Sequence, residues 1–458
     1  MGTLSSSLAI SLSGLEAAQD AISVASNNIA NENTPGYSRE VANLATSPTV
    51  DEGPLTFGTG VEVQSVISLR DSVLDLRVNQ ETQQQGQLNA FIGGGQQIQE
   101  LFNQTTGAGL QTPITAFFNS VSQLSITPSD PNARQAVLSA AQNLTTAFNQ
   151  ASGSLATLQQ NTNLSVSQTV AQINSLTTQL ATVNGEVTAN SAPGENVGSL
   201  VDQRQQLLNQ LSNLVDISEI NAGNGSLTVT TSSGAPLVVG EQSFALTTQP
   251  NATTGLQDVY SQGTDITPQI SSGQLAGEIQ LRDQEIPAIQ NSLDTLAFDL
   301  ATSVNTVQEA GTDLNGAAGG PLFVPPTAVS GTAATLAVAI TNPSKIAASR
   351  DGLPGDNANA NALLALQNQN IVAGQTPLNY YAGLVFKIGN DVSTALASQT
   401  TGSAALAQAE NLQGGVSGVD INEEAANLVR YQNAYQASAE VSATIDTLLL
   451  YTITSFTP

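Results

Sequence analysis

Thirty-six carboxylates, no histidine and no cysteine set the chemistry this chain can attempt. Without His it lacks the commonest general base and the commonest transition-metal ligand, so serine–histidine catalysis and His-ligated zinc are excluded. Without Cys there are no disulfides, thiolate metal sites or cysteine nucleophiles. What remains is oxygen chemistry, and it is thin. Glu423 and Glu424 are neighbouring carboxylates, but adjacent helical positions point apart and do not make a facing catalytic pair. Asp351, Asp356, Asn357 and Asn359 gather in a Gly-Pro loop with oxygens suited to calcium, yet their spacing is not that of an EF-hand, and a turn is the better reading. Gly58-Thr59-Gly60 and Gly93-Gly94-Gly95 lack the flanks of a phosphate loop. No catalytic residue, cofactor or metal site emerges, and the chain reads as a non-enzyme.

The charge balance narrows the partners. Ten basic residues, two lysines and eight arginines, face 36 acidic ones for a net charge of −26. Nucleic-acid binding needs a basic footprint to displace counterions, and an anionic membrane surface would repel this chain. Only 10% of residues are charged, so the surface is mostly Ser, Thr, Asn, Gln and Gly, able to pack closely against copies of itself. The acidic excess keeps the free chain soluble. No apolar run approaches the length of a membrane span, and membrane insertion is not expected. The first basic residue is Arg39, and the preceding helix has no apolar signal core, so export is expected without a cleaved leader. The absence of Cys suits passage through a narrow channel as an unfolded chain. Met1-Gly2 with Ser6 fits the bare myristoylation pattern, which is too short to carry weight.

Such a chain works through its elements. Leu8, Leu15, Ile22 and Ile29 recur every seventh residue, with Leu4, Ser11, Ala18 and Ala25 on the intervening seam. This coiled-coil period predicts a helix from about Thr3 to Asn33, roughly 45 Å long, which cannot bury its own apolar stripe. It stops at Asn33-Thr34-Pro35-Gly36-Tyr37, where Pro-Gly suits the central positions of a type II turn. The C-terminus mirrors this. Asp420 with Glu423 makes a capping-box-like start, and Ile421, Leu428, Tyr435 and Leu449 share a heptad position supported by Tyr431 and Ile445. Two such helices should lie against each other and bring both termini to one end of an elongated molecule.

Between them, Val41 to Val50 is extended, Gly53-Pro54 turns, and Val61, Val63 and Val66 return as a strand. Leu69 to about Phe102 is helical, broken at Gly93-Gly94-Gly95, with Gln83 to Gln87 on its solvated face. Helices follow from Thr112-Pro113, over Asn132 to Gln160 and Asn163 to Asn190, and, past Pro193-Gly194, from Leu200 to Leu214. Val215 opens short β-rich runs to about Ile270, with turns at Gly223-Asn224-Gly225 and Ser233-Gly234. Helix returns over Leu275 to Glu309 and from Asn359 to Gly414. Leu322-Phe323-Val324 and Leu336 to Ile340 read as strands rejoining the β-rich part. At 458 residues the fold class is a mainly α multidomain (α+β) chain. The expected domains are a terminal coiled coil (1–36 with 415–458), a helical middle domain (37–214 with 273–316 and 351–414) and an inserted β-rich domain (215–272 with 317–350).

The wording of the two ends says more. Ser26-Asn27-Asn28-Ile29-Ala30-Asn31-Glu32-Asn33-Thr34-Pro35-Gly36-Tyr37-Ser38-Arg39 resembles the N-terminal signature of the bacterial flagellar axial family of rod, hook and hook-associated proteins. The segment Ser417 to Ala437, with Asp420-Ile421-Asn422-Glu423-Glu424 and Leu428-Val429-Arg430-Tyr431-Gln432-Asn433-Ala434-Tyr435, resembles that family's C-terminal signature. Four middle segments are similar to the hook-associated protein 1 branch: Leu200-Val201-Asp202-Gln203-Arg204, Gly273-Gln274-Leu275-Ala276-Gly277 leading to Arg282-Asp283, Asp313-Leu314-Asn315-Gly316 before Leu322-Phe323, and Pro343 to Ser349. Two departures stand out. Gln205 replaces an acidic residue that often follows the arginine, and the tail Tyr451 to Pro458 runs past the usual end.

The resemblance implies a structural subunit of the flagellum at the hook–filament junction, exported by the flagellar type III route and required for motility. It implies self-association in a ring on the hook tip, with the hook protein and a second junction protein as neighbours. A cytoplasmic export chaperone would cover the C-terminal helix beforehand. The expected assembly interface comprises Leu8, Leu15, Ile22, Ile29, Asn27, Asn28, Asn31, Asn33, Pro35, Gly36 and Tyr37, together with Leu428, Tyr431, Tyr435, Ile445 and Leu449. The rival readings are a hook or rod subunit and a secreted surface adhesin built on the β-rich insert.

Overall fold

The structure, a computed structural model, describes residues 2–52, 55–103, 109–191, 196–223, 225–353 and 355–456. The turns expected at Gly53-Pro54 and Pro193-Gly194 and the central Asn224 lie outside the described residues. Helix α1 (Gly2–Asn31) opens the chain. Beyond it the Tyr37 N–H donates to the Thr34 carbonyl at 3.1 Å while Gly36 takes φ +77°, as a type II turn with Pro-Gly at its centre requires. Strands β1 (Glu40–Thr46), β2 (Val50–Glu52), β3 (Leu55–Phe57) and β4 (Val61–Ser68) follow. β1 and β4 form an antiparallel ribbon, Glu40 opposite Ser68 and Thr46 opposite Val61, with a register shift at Asn43/Leu44. The ribbon packs back on α1.

The body begins with α2 (Ser72–Leu101), α3 (Gln111–Ile126), α4 (Pro131–Ala189) and α5 (Gly198–Leu214). α4 is one unbroken helix of 59 residues where the sequence suggests two. Asp130 caps it through the Asn132 N–H at 2.9 Å, and Pro131 sits in the first turn, where its missing N–H costs nothing.

α2 also runs straight through Gly93-Gly94-Gly95, contrary to the expected break. Helical glycine is unfavourable by about 1 kcal/mol, but here two of the three permit close packing. A Cβ on Gly94 would lie 1.9 Å from Leu281 and one on Gly95 2.7 Å from Val392. The glutamine tract is corrected as well. Gln83 and Gln85 are buried, donating to the carbonyls of Ile217 and Gln399 at 3.2 and 3.1 Å.

Two antiparallel sheets come next: β5 (Ser218–Asn221), β6 (Leu227–Thr230), β7 (Pro236–Val239) and β8 (Gln242–Ser243) in that order, then β9 (Leu246–Pro250), β10 (Gln257–Ser261) and β11 (Thr264–Asp265) with β10 central. The expected helix Leu275–Glu309 is α6 (Gly273–Gln280), a π-helical turn at Leu281–Glu285 and α7 (Ile286–Glu309). Pro287 cannot donate to the carbonyl four residues back, and the wider turn accommodates its ring. The short α8 (Thr332–Thr335), then α9 (Ala358–Ala365), α10 (Pro377–Ser417) and α11 (Ile421–Phe456) complete the chain.

Two cores share α4 as a common wall. Val137, Leu144, Phe148 and Leu155 of α4 pack with Phe117, Phe118, Leu293 and Leu300. Further along, Val166, Ile173 and Leu180 pack with Leu211, Val229, Val238 and Val259, sealing both sheets against the helix. Segment 317–350 joins the first core, not the sheets: Leu322, Phe323, Leu336 and Ile346 are buried among the helices. Its strand-like pairings are isolated bridges, Phe323 to Val338 and Thr312 to both Ala318 and Ser349. A short apolar run cannot by itself distinguish a strand from an extended cover over helices.

Candidate assembly interface

α1 and α11 lie antiparallel. A Cβ on Gly14 would meet the Ser438 Oγ at 3.0 Å, Ser7 and Ile10 share a groove of about 560 Å³ with Val441 and Ile445, and Arg39, beyond the other end of α1, reaches Glu423 and Glu424. The inward row on α1 is Ser11, Gly14, Ala18, Ala21, Ala25 and Asn28, a regular 3–4 spacing of small residues. Ser11, Ala18, Ala21, Ala25 and Asn28 are all buried. Small side chains let two helix backbones approach closely.

The large residues lie beside this seam. Leu8, Leu15, Ile22 and Ile29 are each half-buried. On α11, Ile445 is buried, Leu428, Tyr431 and Leu449 are half-buried, and Tyr435 and Ile421 are exposed. Ile421 is the first residue of α11. Arg430 stacks 4.9 Å over the ring of Tyr431 and donates to its hydroxyl at 3.0 Å. Val429, Leu448, Leu450 and Ile453 of α11 are exposed apolar side chains.

The signature residues between α1 and β1 build a polar elbow. Asn28 Nδ2 donates to the Glu40 carbonyl at 2.8 Å, and its Oδ1 accepts the Glu40 N–H at 2.9 Å and the Tyr37 hydroxyl at 2.8 Å. Asn31 Nδ2 donates to Asn27 Oδ1 at 2.9 Å, and Thr34 Oγ1 donates to Asn31 Oδ1 at 3.2 Å. Asn33, Pro35 and Gly36 are exposed, yet the Pro35 carbonyl accepts from Gln206 Nε2 at 2.7 Å. Asp202 accepts the Ser38 N–H at 2.9 Å and Arg70 at 2.8 Å. The N-terminal signature therefore docks on the Leu200–Arg204 segment, 164 positions away. Another pair of similar segments also meets: Lys345 Nζ reaches Asp313 Oδ2 at 3.0 Å, and the Leu314 N–H donates to the Ser344 carbonyl at 2.9 Å.

Electrostatics follow from this crowding. Burial pushes the Tyr37 phenol far above its ordinary range, and the carboxylates of Glu40, Asp202 and Glu424 push the same way. Burial also raises Asp202, held back by its bonds from Ser38 and the charge of Arg70. For Arg39, burial works against the charge, but the bonds to Glu423 and Glu424 outweigh it and its pKa rises. Arg39, Arg70, Asp202, Gln206 and Glu424 are parts of the elbow that the sequence reading did not place there. Arg39, Asp202 and Glu424 lie within the segments that carry the resemblance, while Arg70 and Gln206 lie outside them.

The oxygen-rich loop is explained without a ligand. Asp356 accepts from Ser349 Oγ at 2.7 Å and from the N–H groups of Arg350, Asp351 and Ala358, which together hold its carboxyl well below the usual range. Among the described residues no group of three or more acidic side chains is placed to hold a metal, and no helix is long and apolar enough to cross a membrane.

Paired terminal helices, a ribbon at their elbow and a long helical body make this a mainly α, elongated multidomain architecture. Residues 8–37 match the flagella basal body rod protein family, and residues 95–323, half the chain, match the flagellar hook-associated protein FlgK helical domain. The chain belongs to the FlgK family of flagellar hook-associated proteins. It is 29% identical to flagellar hook-associated protein 1 of Bacillus subtilis (strain 168), over 95% of both chains. It is 27% identical to that of Escherichia coli (strain K12), over 97% of this chain and 98% of the relative. In fold it is similar to the flagellar hook junction protein FlgK from Burkholderia pseudomallei, with TM-score 0.66 at 20% identity, covering 74% of this chain and all of that one.

Proposed function

We propose that this protein is a structural, non-enzymatic subunit of the flagellum that forms the junction between hook and filament, assembling as a ring on the hook tip through α1 and α11. Membership of the hook-associated family supports the location. The observation that carries the assembly reading is the division of labour on α1: small residues face α11, while Leu8, Leu15, Ile22 and Ile29 stay half-buried beside the seam. Complete burial of such side chains is worth about 1.5–3 kcal/mol each, and neighbouring copies would supply the part that half-burial leaves over. The interface extends to Asn27, Asn28, Asn31, Asn33, Pro35, Gly36 and Tyr37 at the elbow and to Leu428, Tyr431, Tyr435, Ile445 and Leu449 on α11. Its partners are further copies of this chain, the hook protein and the second junction protein. An export chaperone on α11 precedes them. On this reading 1–36 with 415–458 forms the terminal domain, and 317–350 belongs to the helical body.

Gene deletion with electron microscopy tests the role. Hooks without filaments, with flagellin lost to the medium, are expected; missing hooks would indicate a rod or hook subunit, and intact filaments would refute the junction role. Ile22→Asp tests the interface. The protein should stay folded yet fail to join the hook, and normal incorporation would overturn the assignment of the flank.

A further inference from the structure

We infer that α4 is a ruler for the β-rich part of the chain: Asn163, Asn174 and Asn184 each receive the first residue of one strand, and together they fix where both sheets sit along the helix. The three are eleven and ten positions apart. Three helical turns take about 10.8 residues, so the marks line one face at steps of about 16 Å. Asn184 Oδ1 accepts the N–H of Leu227, where β6 begins, at 3.0 Å, and its Nδ2 donates to the Leu227 carbonyl at 2.7 Å. The same nitrogen reaches the carbonyl of Gly240, between β7 and β8, at 2.7 Å. Asn174 pairs likewise with Leu246, where β9 begins, at 2.8 Å in both directions. The remaining mark is shared. Asn163 Oδ1 accepts the N–H of Gln257, where β10 begins, at 2.7 Å, and the Gln257 carbonyl accepts from Arg282 Nη1 at 2.6 Å.

Arg282 is fully buried in the π-helical turn, donates to Asn163 Oδ1 at 3.0 Å and pairs with Asp283 at 2.7 and 2.8 Å. It joins the first mark of the ruler to the turn that leads into α7 and the first core. The apolar contacts do not set the position of the sheets by themselves. Val166, Val170, Ile173 and Leu180 repeat at helical spacing along the second core. Hydrophobic burial is non-directional, so a slide of one turn, about 5.4 Å, would still place apolar against apolar. The carboxamides do not repeat in this way. Thr178 and Thr188, four positions beyond Asn174 and Asn184, spend their hydroxyls on the carbonyls of those two residues at 2.8 and 2.9 Å. A displaced sheet would therefore strand buried N–H and carbonyl groups at the start of its strands, and the seating is held in one register.

The absence of cysteine makes this seating measurable in the full-length protein. A Cβ on Gly185 would lie 3.7 Å from that of Glu241, inside the range of about 3.5–4.5 Å that a disulfide spans. Gly185→Cys with Glu241→Cys therefore reports how firmly the turn between β7 and β8 is held on α4. Equilibration with glutathione gives the effective concentration of the two thiols. Adding Asn184→Ala should lower it about tenfold or more. Asn190→Ala is the control, since its side chain donates to the Glu186 carbonyl of its own helix, and should leave it unchanged. Hydrogen exchange reads the second mark: in Asn174→Ala the amides of β9 and β10 should exchange about tenfold faster, while those of α3 and α7 keep their protection. An effective concentration unmoved by Asn184→Ala, or moved equally by Asn190→Ala, would overturn the ruler, as would unchanged exchange in Asn174→Ala. Faster exchange spread through α3 and α7 would also overturn it, making these asparagines general supports of the fold.

Discussion

The side-chain amide of Asn28 satisfies the whole backbone of Glu40, donating to its carbonyl at 2.8 Å and accepting its N–H at 2.9 Å. The same two-point pairing recurs three times on the body helices. Asn174 holds Leu246 at 2.8 and 2.8 Å, Asn184 holds Leu227 at 2.7 and 3.0 Å, and Asn305 holds Phe323 at 2.9 and 2.9 Å. In each case a helix receives an extended segment whose buried N–H and carbonyl need partners. An asparagine amide supplies one donor and one acceptor in the geometry of a neighbouring strand. Much of the asparagine in this chain is therefore structural joinery between layers.

Asn28→Ala should destabilise the protein by about 2–6 kcal/mol, since two buried backbone groups each lose a partner at about 1–3 kcal/mol. Asn27→Ala is the control. Its contacts to Tyr37 and Glu40 are long, 3.3 and 3.4 Å, and it is exposed, so about 0.5 kcal/mol or less is expected. Urea midpoints measure both, and equal losses would mean that Asn28 has no special role.

Two glycines on α2 make opposite predictions from one chemical change. A Cβ on Gly93 meets nothing within 4 Å, so Gly93→Ala should stabilise by up to about 1 kcal/mol through helix propensity. A Cβ on Gly86 would lie 2.1 Å from the backbone oxygen of Asn213 on α5. Gly86→Ala must push the two helices apart and should cost about 1–3 kcal/mol. Thermal melts of the pair decide it: a rise for both variants would show that α2 and α5 separate freely.

What the sequence conveyed and what it withheld divide along a physical line. Periodic and local signals came through: the heptads of α1, the Pro35-Gly36 turn, the cap at Asp130 and the cap at Asp420. Each depends on residues within one or two turns of one another. The heptad pattern put Ser11, Ala18 and Ala25 on the seam beside Leu8, Leu15, Ile22 and Ile29, but did not say that the small row would be the more buried one. Gln83 and Gln85 look solvated because glutamine usually is, and their carbonyl partners lie more than 130 positions away. The break expected at Gly93–Gly95 failed because a glycine's packing neighbour, which can outweigh its helix propensity, leaves no mark in the local sequence.

Glu278 gives a prediction with a definite sign in pH. Its carboxylate is 6% exposed and accepts from Thr169 Oγ1 at 2.9 and 3.1 Å and from Gln274 Nε2 at 2.8 Å. Burial raises its pKa above the ordinary 4.5, while the bonds from Gln274 and Thr169 and the charge of Arg282 hold it partly back. A carboxyl whose folded pKa is raised binds more protons folded than unfolded, so stability falls as pH rises from the ordinary value through the raised one. The cost is in place at pH 7 and absent once both states are protonated. Glu278→Gln keeps the shape without the charge and should be more stable than the parent at pH 7, with the difference closing as pH falls to about 4. Asp313 and Asp356, whose pKa values are lowered, weaken both proteins alike in acid, so only the difference between variant and parent is diagnostic. A gap that does not change with pH would show that Glu278 gains from its bonds as much as it loses to burial.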